Sequence, residues 1–151
     1  MAQTPLEIAK QLRPGLTRLF LLYFRKSMNS HISTAQMSIM MILAEHGPLR
    51  ISQIAAMEAI RMPTASNAVN QLESMNIVTR VRDVSDRRGV RVELTEKGRA
   101  DLNQMSEDRS QQLASMVAGL SAEELAQVEQ LIPVINLILE RYSEVAEEEI
   151  R

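Results

Sequence analysis

Three carboxamides and two hydroxyls crowd one short stretch of this 151-residue chain: Thr64, Ser66, Asn67, Asn70 and Gln71, introduced by Pro63. A carboxamide carries one acceptor and two donors, and Asn or Gln can therefore pair bidentately with N6 and N7 of adenine. At 100° per residue Ala65, Ala68, Val69 and Leu72 gather on one side of a helix, while Pro63, Thr64, Asn67, Asn70 and Gln71 fall on the other. A polar outer face is ordinarily just solvated. What gives this one a chemical reading is the cluster of arginines that follows it, Arg80, Arg82, Arg87, Arg88 and Arg91. Within Asp86-Arg87-Arg88-Gly89 the carboxylate can hold the Arg87 guanidinium in a fixed fork, leaving Arg88 to enter a minor groove, whose negative potential is strongest over A·T tracts. The plainer use of such arginines is to keep an exposed strand edge soluble. No arginine lies between Pro63 and Met75, so the base preference expected of the helix leans toward A·T pairs.

The pattern around these clusters says what must position them. Leu12, Leu16, Leu19, Phe20, Tyr23 and Phe24 recur at helical spacing, giving a first helix from near Pro5 to Asn29–His31, with Pro14-Gly15 as the place for a bend. Ser33 and Gln36 form a capping box for a second helix, which ends at Gly47-Pro48. After an extended link at 49–51, Ser52 is placed to cap a brief helix through Met57. A turn at 59–62 leads to a helix opened by Pro63 and closed near Asn76. Two short helices joined by a tight turn are the helix-turn-helix pattern. The alternating segments 78–83 and 90–94 then flank a charged loop, which reads as a β-hairpin wing. Thr95 caps a long helix with Gly98 in its first turn. Ser121 and Glu124 cap a last helix, striped by Leu125, Val128, Ile132, Ile135, Leu139 and Tyr142 and again by Leu131, Val134 and Ile138. That apolar surface exceeds what one helix can bury on so small a domain, and the first helix is widened likewise by Phe20–Leu22. The surplus implies a second subunit, with Leu12, Leu16, Leu131, Ile135, Ile138 and Tyr142 at the interface.

Composition narrows the alternatives. Aromatic residues make up 3% and there is no Trp, so the core must be aliphatic and rich in the ten Met, which favours helix packing over a β-sandwich. With no Cys, disulfides, thiol nucleophiles, thiolate-bound metals and thiol redox sensing are excluded. No apolar run reaches membrane-spanning length and no secretory leader precedes the first helix, so the expected location is the cytoplasm. The net charge of −2 is unevenly spread: five basic against two acidic residues in 1–49, nine against six in 50–99, and three against eleven in 100–151. The middle of the chain is positive and its last third is acidic. An enzyme finds little support, since G-x-S-x-G, phosphate-binding glycine loops and H-E-x-x-H are all missing. His31 and His46 lack the clustered carboxylates of a metal site, so neither metal nor cofactor is expected.

Asp83, Asp86-Arg87-Arg88-Gly89, Val90–Leu94, Thr95 and Gly98, taken in that order, resemble the wing and following helix of the MarR family, and the helices before and after fit it across nearly the whole chain. Asn76 stands where that family usually has Gly, and Gln71 where it often has Arg. The resemblance implies a mainly α fold with a small β-wing (α+β), a winged helix-turn-helix lobe at 33–99 interlaced with a helical dimerisation region at 1–32 and 100–151. It implies a homodimer that places its recognition helices in the major grooves of a pseudo-palindromic double-stranded DNA operator and its wings in the flanking minor grooves. It also implies a repressor released by a small lipophilic or aromatic effector, bound between the dimerisation helices and the lobe near Phe20, Tyr23, Phe24, Met37 and Met41. The plainer reading of these last five is that they are core. A winged-helix module for protein assembly is the alternative function, one that would not require the wing arginine pair.

Overall fold

The computed structural model describes residues 3–25, 31–86 and 88–150, with side chains to residue 142. In chain order the elements are α1 (Pro5–Arg25), α2 (Thr34–His46), α3 (Ile51–Met57), α4 (Met62–Ser74), β1 (Val78–Arg82), β2 (Val90–Leu94), α5 (Glu96–Val117), α6 (Ala122–Glu129) and α7 (Leu131–Ile150). The fold is mainly helical with one antiparallel hairpin, as the sequence pattern leads one to expect.

The core lies where α2, α3, α4 and the hairpin converge. Ile39, Met40, Leu43, Ile54, Val69, Leu72, Ile77, Val78 and Val92 are fully enclosed, and Leu94 and Leu102 complete the cluster. The caps follow the sequence. Ser33 Oγ accepts from Gln36 N at 3.1 Å while Gln36 Oε1 accepts from Ser33 N at 2.9 Å, and Ser121 and Glu124 repeat the arrangement at the start of α6. Gly47 stops α2 at φ 75° and Asn76 stops the chain beyond α4 at φ 58°. In the turn of the helix-turn-helix, Ala59 takes a left-handed conformation at φ 53°.

Three boundaries differ from the sequence reading. Helix α3 begins two residues early: Arg50, not Ser52, is its N-cap, and Gln53 Oε1 accepts from Arg50 N at 2.9 Å. The extended link before it is a third, single-residue rung of the hairpin, Leu49 and Val92 exchanging both backbone hydrogen bonds. The last helix is two helices, broken at Gln130. Pro133 supplies the reason, because it has no N–H to donate to the carbonyl of Glu129 four residues earlier. The predicted end of α1 near Asn29 lies outside the described residues; through Pro14 the helix continues uninterrupted.

The junction between hairpin and α5 is tight. Thr95 Oγ1 donates to the Asn76 carbonyl at 2.6 Å and accepts from Gly98 N at 2.9 Å, tying the end of α4 to the start of α5. A Cβ on Gly98 would overlap the backbone carbonyl of Ile77, and a backbone oxygen cannot rotate aside as a side chain can. Gly98→Ala is therefore expected to cost about 3 kcal/mol, an overpacking penalty at the upper end of the usual range. The denaturant midpoint should fall at fixed protein concentration while Gly119→Ala, in open space, leaves it nearly unchanged.

Candidate nucleic-acid interface

Helix α4 turns Ala65, Val69 and Leu72 into the core and leaves Pro63, Thr64, Asn67, Asn70 and Gln71 exposed, with Ser66 at the margin. Arg61, not Pro63, is its N-cap residue; Pro63 sits second in the helix, where a missing N–H costs nothing. The three carboxamides differ in what they touch. Asn67 makes no side-chain hydrogen bond among the described residues. Asn70 Oδ1 accepts from Arg80 Nη2 at 2.7 Å, and Arg80 Nε lies 3.1 Å from Glu73 Oε2. Gln71 Oε1 accepts from the buried Gln36 Nε2 at 2.7 Å.

The hairpin pairs Val78 with Leu94 through to Arg82 with Val90. Its tip is closed by Gly89 N donating to Asp86 O at 2.8 Å and Asp83 N donating to Gly89 O at 3.0 Å. Asp86, read from sequence as the orienter of Arg87, accepts the Arg88 backbone N–H on Oδ1 at 3.0 Å and stands 3.5 Å from Arg50 Nη2 with its other oxygen. Arg87 itself lies outside the described residues. Arg82 and Arg88 are exposed, and neither side chain has an ion-pair partner among the described residues.

The element that places the wing is one the sequence reading missed. The Asp83 side chain is 1% exposed. Its Oδ2 accepts from Arg50 Nε at 2.9 Å and Nη2 at 2.6 Å and lies 3.1 Å from Arg91 Nε, while Oδ1 accepts from Ser85 N and Oγ at 3.0 and 2.8 Å. Arg50 belongs to the start of α3, and Arg91 to β2, so one carboxylate fastens the helix-turn-helix to both sides of the wing root. Gly89 fits closely here, since a Cβ would stand 3.0 Å from Arg50 Nη2 and 3.0 Å from Asp83 Cβ and would press on the clasp. The hydrogen bonds from Arg50, then those from Ser85, hold the Asp83 carboxyl well below the usual carboxylate range, outweighing the opposing effect of its burial. The available sequence signal was an Asp ending a basic strand and an Arg directly before a helix; their meeting across 33 residues is a property of the fold.

The proposed effector residues divide. Phe20, Tyr23 and Phe24 cluster, with Phe20 and Phe24 ring centroids 4.3 Å apart, Tyr23 edge-on to Phe24 at 5.2 Å, and the Arg109 guanidinium 4.9 Å above the Phe24 ring. Gln112 Nε2 of α5 donates to the Tyr23 carbonyl at 2.7 Å. Met37 is buried in the lobe's core, whereas Met41 is 54% exposed. Leu12, Leu16, Leu131, Ile135, Ile138 and Tyr142 are all more than half exposed in the single chain. Among the described residues no group of three or more His, Asp or Glu is arranged to hold a metal, and no helix is long and apolar enough to cross a membrane.

A short helix, a turn, a second helix with a polar outer face, and a basic hairpin locked against them define a winged helix-turn-helix protein. Residues 32–90 match the MarR family. The chain is 33% identical over 94 residues to YwhA, an uncharacterized HTH-type transcriptional regulator of Bacillus subtilis, spanning 62% of this chain and 68% of that one. It superposes on a MarR family protein from Bacillus stearothermophilus with a TM-score of 0.75 at 25% identity, covering 92% of this chain and 99% of the other. It also matches Streptococcus pneumoniae FabT, solved in complex with DNA, with a TM-score of 0.67 at 24% identity over 88% of this chain and 98% of that one. The protein belongs to the MarR family of transcription regulators, which are not enzymes.

The clasp makes the wing sensitive to acid in a defined sense. Because the Asp83 carboxyl is held below its unfolded value, the stabilisation is complete at neutral pH, declines as pH drops below the ordinary aspartate value of about 3.9, and is gone below the depressed native one. Amide exchange at 85–91, corrected for intrinsic rates, should quicken relative to 39–43 as pH is lowered through that window. Asp83→Asn should produce the faster wing exchange at neutral pH and remove the pH response.

Proposed function

We propose that this protein is a sequence-specific, homodimeric operator-binding regulator, acting as a repressor whose hold on DNA is released by a small lipophilic or aromatic effector. The observation that carries the reading is the pairing of Asn67 and Arg88. Both are exposed, both lack side-chain partners among the described residues, and they stand on two elements that the Asp83 clasp ties to one another. In this reading Pro63, Thr64, Ser66, Asn67, Asn70 and Gln71 face the major groove, while Arg82, Asp86, Arg87 and Arg88 form the part of the wing that meets the flanking minor groove.

The homodimer is supported by the apolar faces of α1 and α7, where residues from Leu12 to Tyr142 remain open to solvent in one chain. Surface of this extent is buried in a partner or it aggregates. Residues 1–32 and 100–151 then form the dimerisation region and 33–99 the DNA-binding lobe, and two-fold symmetry matches a pseudo-palindromic site. The effector site is assigned to the Phe20–Tyr23–Phe24 cluster with Met37 and Met41; an effector acts there only if it prefers one spacing of the lobes over another. The cytoplasm, where chromosomal DNA is reached, is the corresponding location.

Selection of duplexes from a randomised pool, followed by salt titration on the selected operator, tests the function. Arg88→Ala should weaken binding most on A·T-rich flanks and make the slope of log affinity against log salt shallower by about one. Asn67→Ala should cost about 1–3 kcal/mol at a single operator position and leave the salt slope unchanged. Sedimentation of the free protein should give twice 17.0 kDa. A wild type that selects no sequence would defeat the reading.

A further inference from the structure

We propose that Ser85 is a phosphoacceptor site for a serine kinase that selects arginine, and that a phosphoryl group there takes the wing off DNA; the second half rests on the DNA-binding function proposed above. Arg80 and Arg82 precede Ser85 by five and three residues, and Arg87 and Arg88 follow it. No other Ser or Thr of the chain has arginines at both of those upstream spacings. A kinase recognises such a substrate by seating the upstream guanidiniums against carboxylates of its own while the segment that bears the hydroxyl lies extended across the cleft. The structure supplies the access. Ser85 is exposed and falls between β1 and β2, outside every helix and strand, and Arg82 is exposed with no ion-pair partner among the described residues. Thr64 is the other hydroxyl with an arginine three residues ahead, but it lies in the first turn of α4, where the backbone is helical. In the transfer, Ser85 Oγ forms a bond to the γ-phosphorus of a nucleoside triphosphate and the bond from that phosphorus to the β–γ bridging oxygen breaks. Nucleoside diphosphate departs, and the hydroxyl proton passes to the kinase's base.

What the phosphate does follows from where Oγ lies. Ser85 Oγ donates to Asp83 Oδ1 at 2.8 Å, and the Ser85 N–H donates to the same oxygen at 3.0 Å. Esterification removes the hydroxyl donor and sets about two negative charges beside that carboxylate, whose side chain is 1% exposed. Repulsion between the two anions works against the Asp83 clasp, and the phosphate offsets the charge of the wing arginines on the surface assigned to the minor groove. Both effects lower affinity for DNA. The charge effect alone amounts to about thirtyfold per wing at physiological salt, the counterion equivalent of two charges.

The site is tested by incubating the folded full-length protein with magnesium, ATP and the catalytic domain of a serine kinase that selects arginine three and five residues before its target. Tandem mass spectrometry should locate one phosphoryl group per chain, at Ser85. Arg82→Gln should take it up about tenfold more slowly, the worth of one charge-assisted hydrogen bond, and Ser85→Ala should take up none. The phosphorylated protein should show faster amide exchange at 88–91, with 39–43 unchanged. On the selected operator it should bind about thirtyfold more weakly per wing, with a salt slope shallower by nearly two. Uptake only after heat unfolding, uptake only at another residue, or an Arg82→Gln rate equal to wild type overturns the site. Uptake at Ser85 that leaves operator affinity unchanged overturns its effect on the wing. Uptake and exchange are read without DNA, so a wild type that selects no duplex defeats the DNA-binding function and leaves the phosphoacceptor site to be judged on its own.

Discussion

A carboxylate taken out of water must be given donors, and in this protein that requirement is met at Asp83 by Arg50 and Ser85, with the Arg91 guanidinium adding its charge at 3.1 Å. A two-stranded hairpin has little stability of its own. Its pitch relative to the helix-turn-helix is set by what it is fastened to, and here Arg50 and Arg91 converge on one anion while the Leu49–Val92 rung and the Thr95–Asn76 contact fix the strand ends. The wing is thus an extension of the helical core rather than an appended loop, and the distance between a side chain on α4 and one at the hairpin tip is a quantity the fold controls. Exposed ion pairs contribute little to stability in general. The value of this one lies in geometry, because its acceptor is enclosed and its donors are rigid forks.

The same logic extends to the surface of α4. Its polar residues are not an undifferentiated solvated face: Gln36 and Arg80, from α2 and β1, each claim a carboxamide oxygen. Each contact fixes the plane in which the accepting amide lies, so Asn70 and Gln71 are oriented by residues outside α4.

Much of the architecture was legible from the chain because the signals were local. Capping boxes at Ser33 and Ser121, the left-handed stops at Gly47 and Asn76, and the two-residue alternation of Val90–Leu94 each need only a few neighbouring residues to be read. The failures were of two physical kinds. Pro133 sits within an otherwise continuous apolar stripe, so the pattern reads as one helix where there are two; Arg50 carries no capping side chain, so its place as N-cap has no local signature. The other kind was non-local. Neither Arg50 with Asp83 nor Gln36 with Gln71 is marked by sequence spacing, because each pair is brought together by tertiary packing alone. The polar face of α4 and the exposed Arg88 were visible in advance; the partners that sort Asn67 from Asn70 were not.

The partition of charge along the chain acquires a spatial meaning once the elements are placed. Arg50 and Arg61 stand at the N-caps of α3 and α4, and Arg80, Arg82, Arg88 and Arg91 belong to the hairpin, while Glu123, Glu124 and Glu129 lie on α6. A body whose cations and anions are segregated on different elements carries a dipole, and a dipole experiences a torque near a polyanion. With a screening length of about 8 Å at physiological ionic strength, that turning is confined to the last approach, where it acts on the frequency of productive encounters and leaves the lifetime of the docked complex to the contacts themselves.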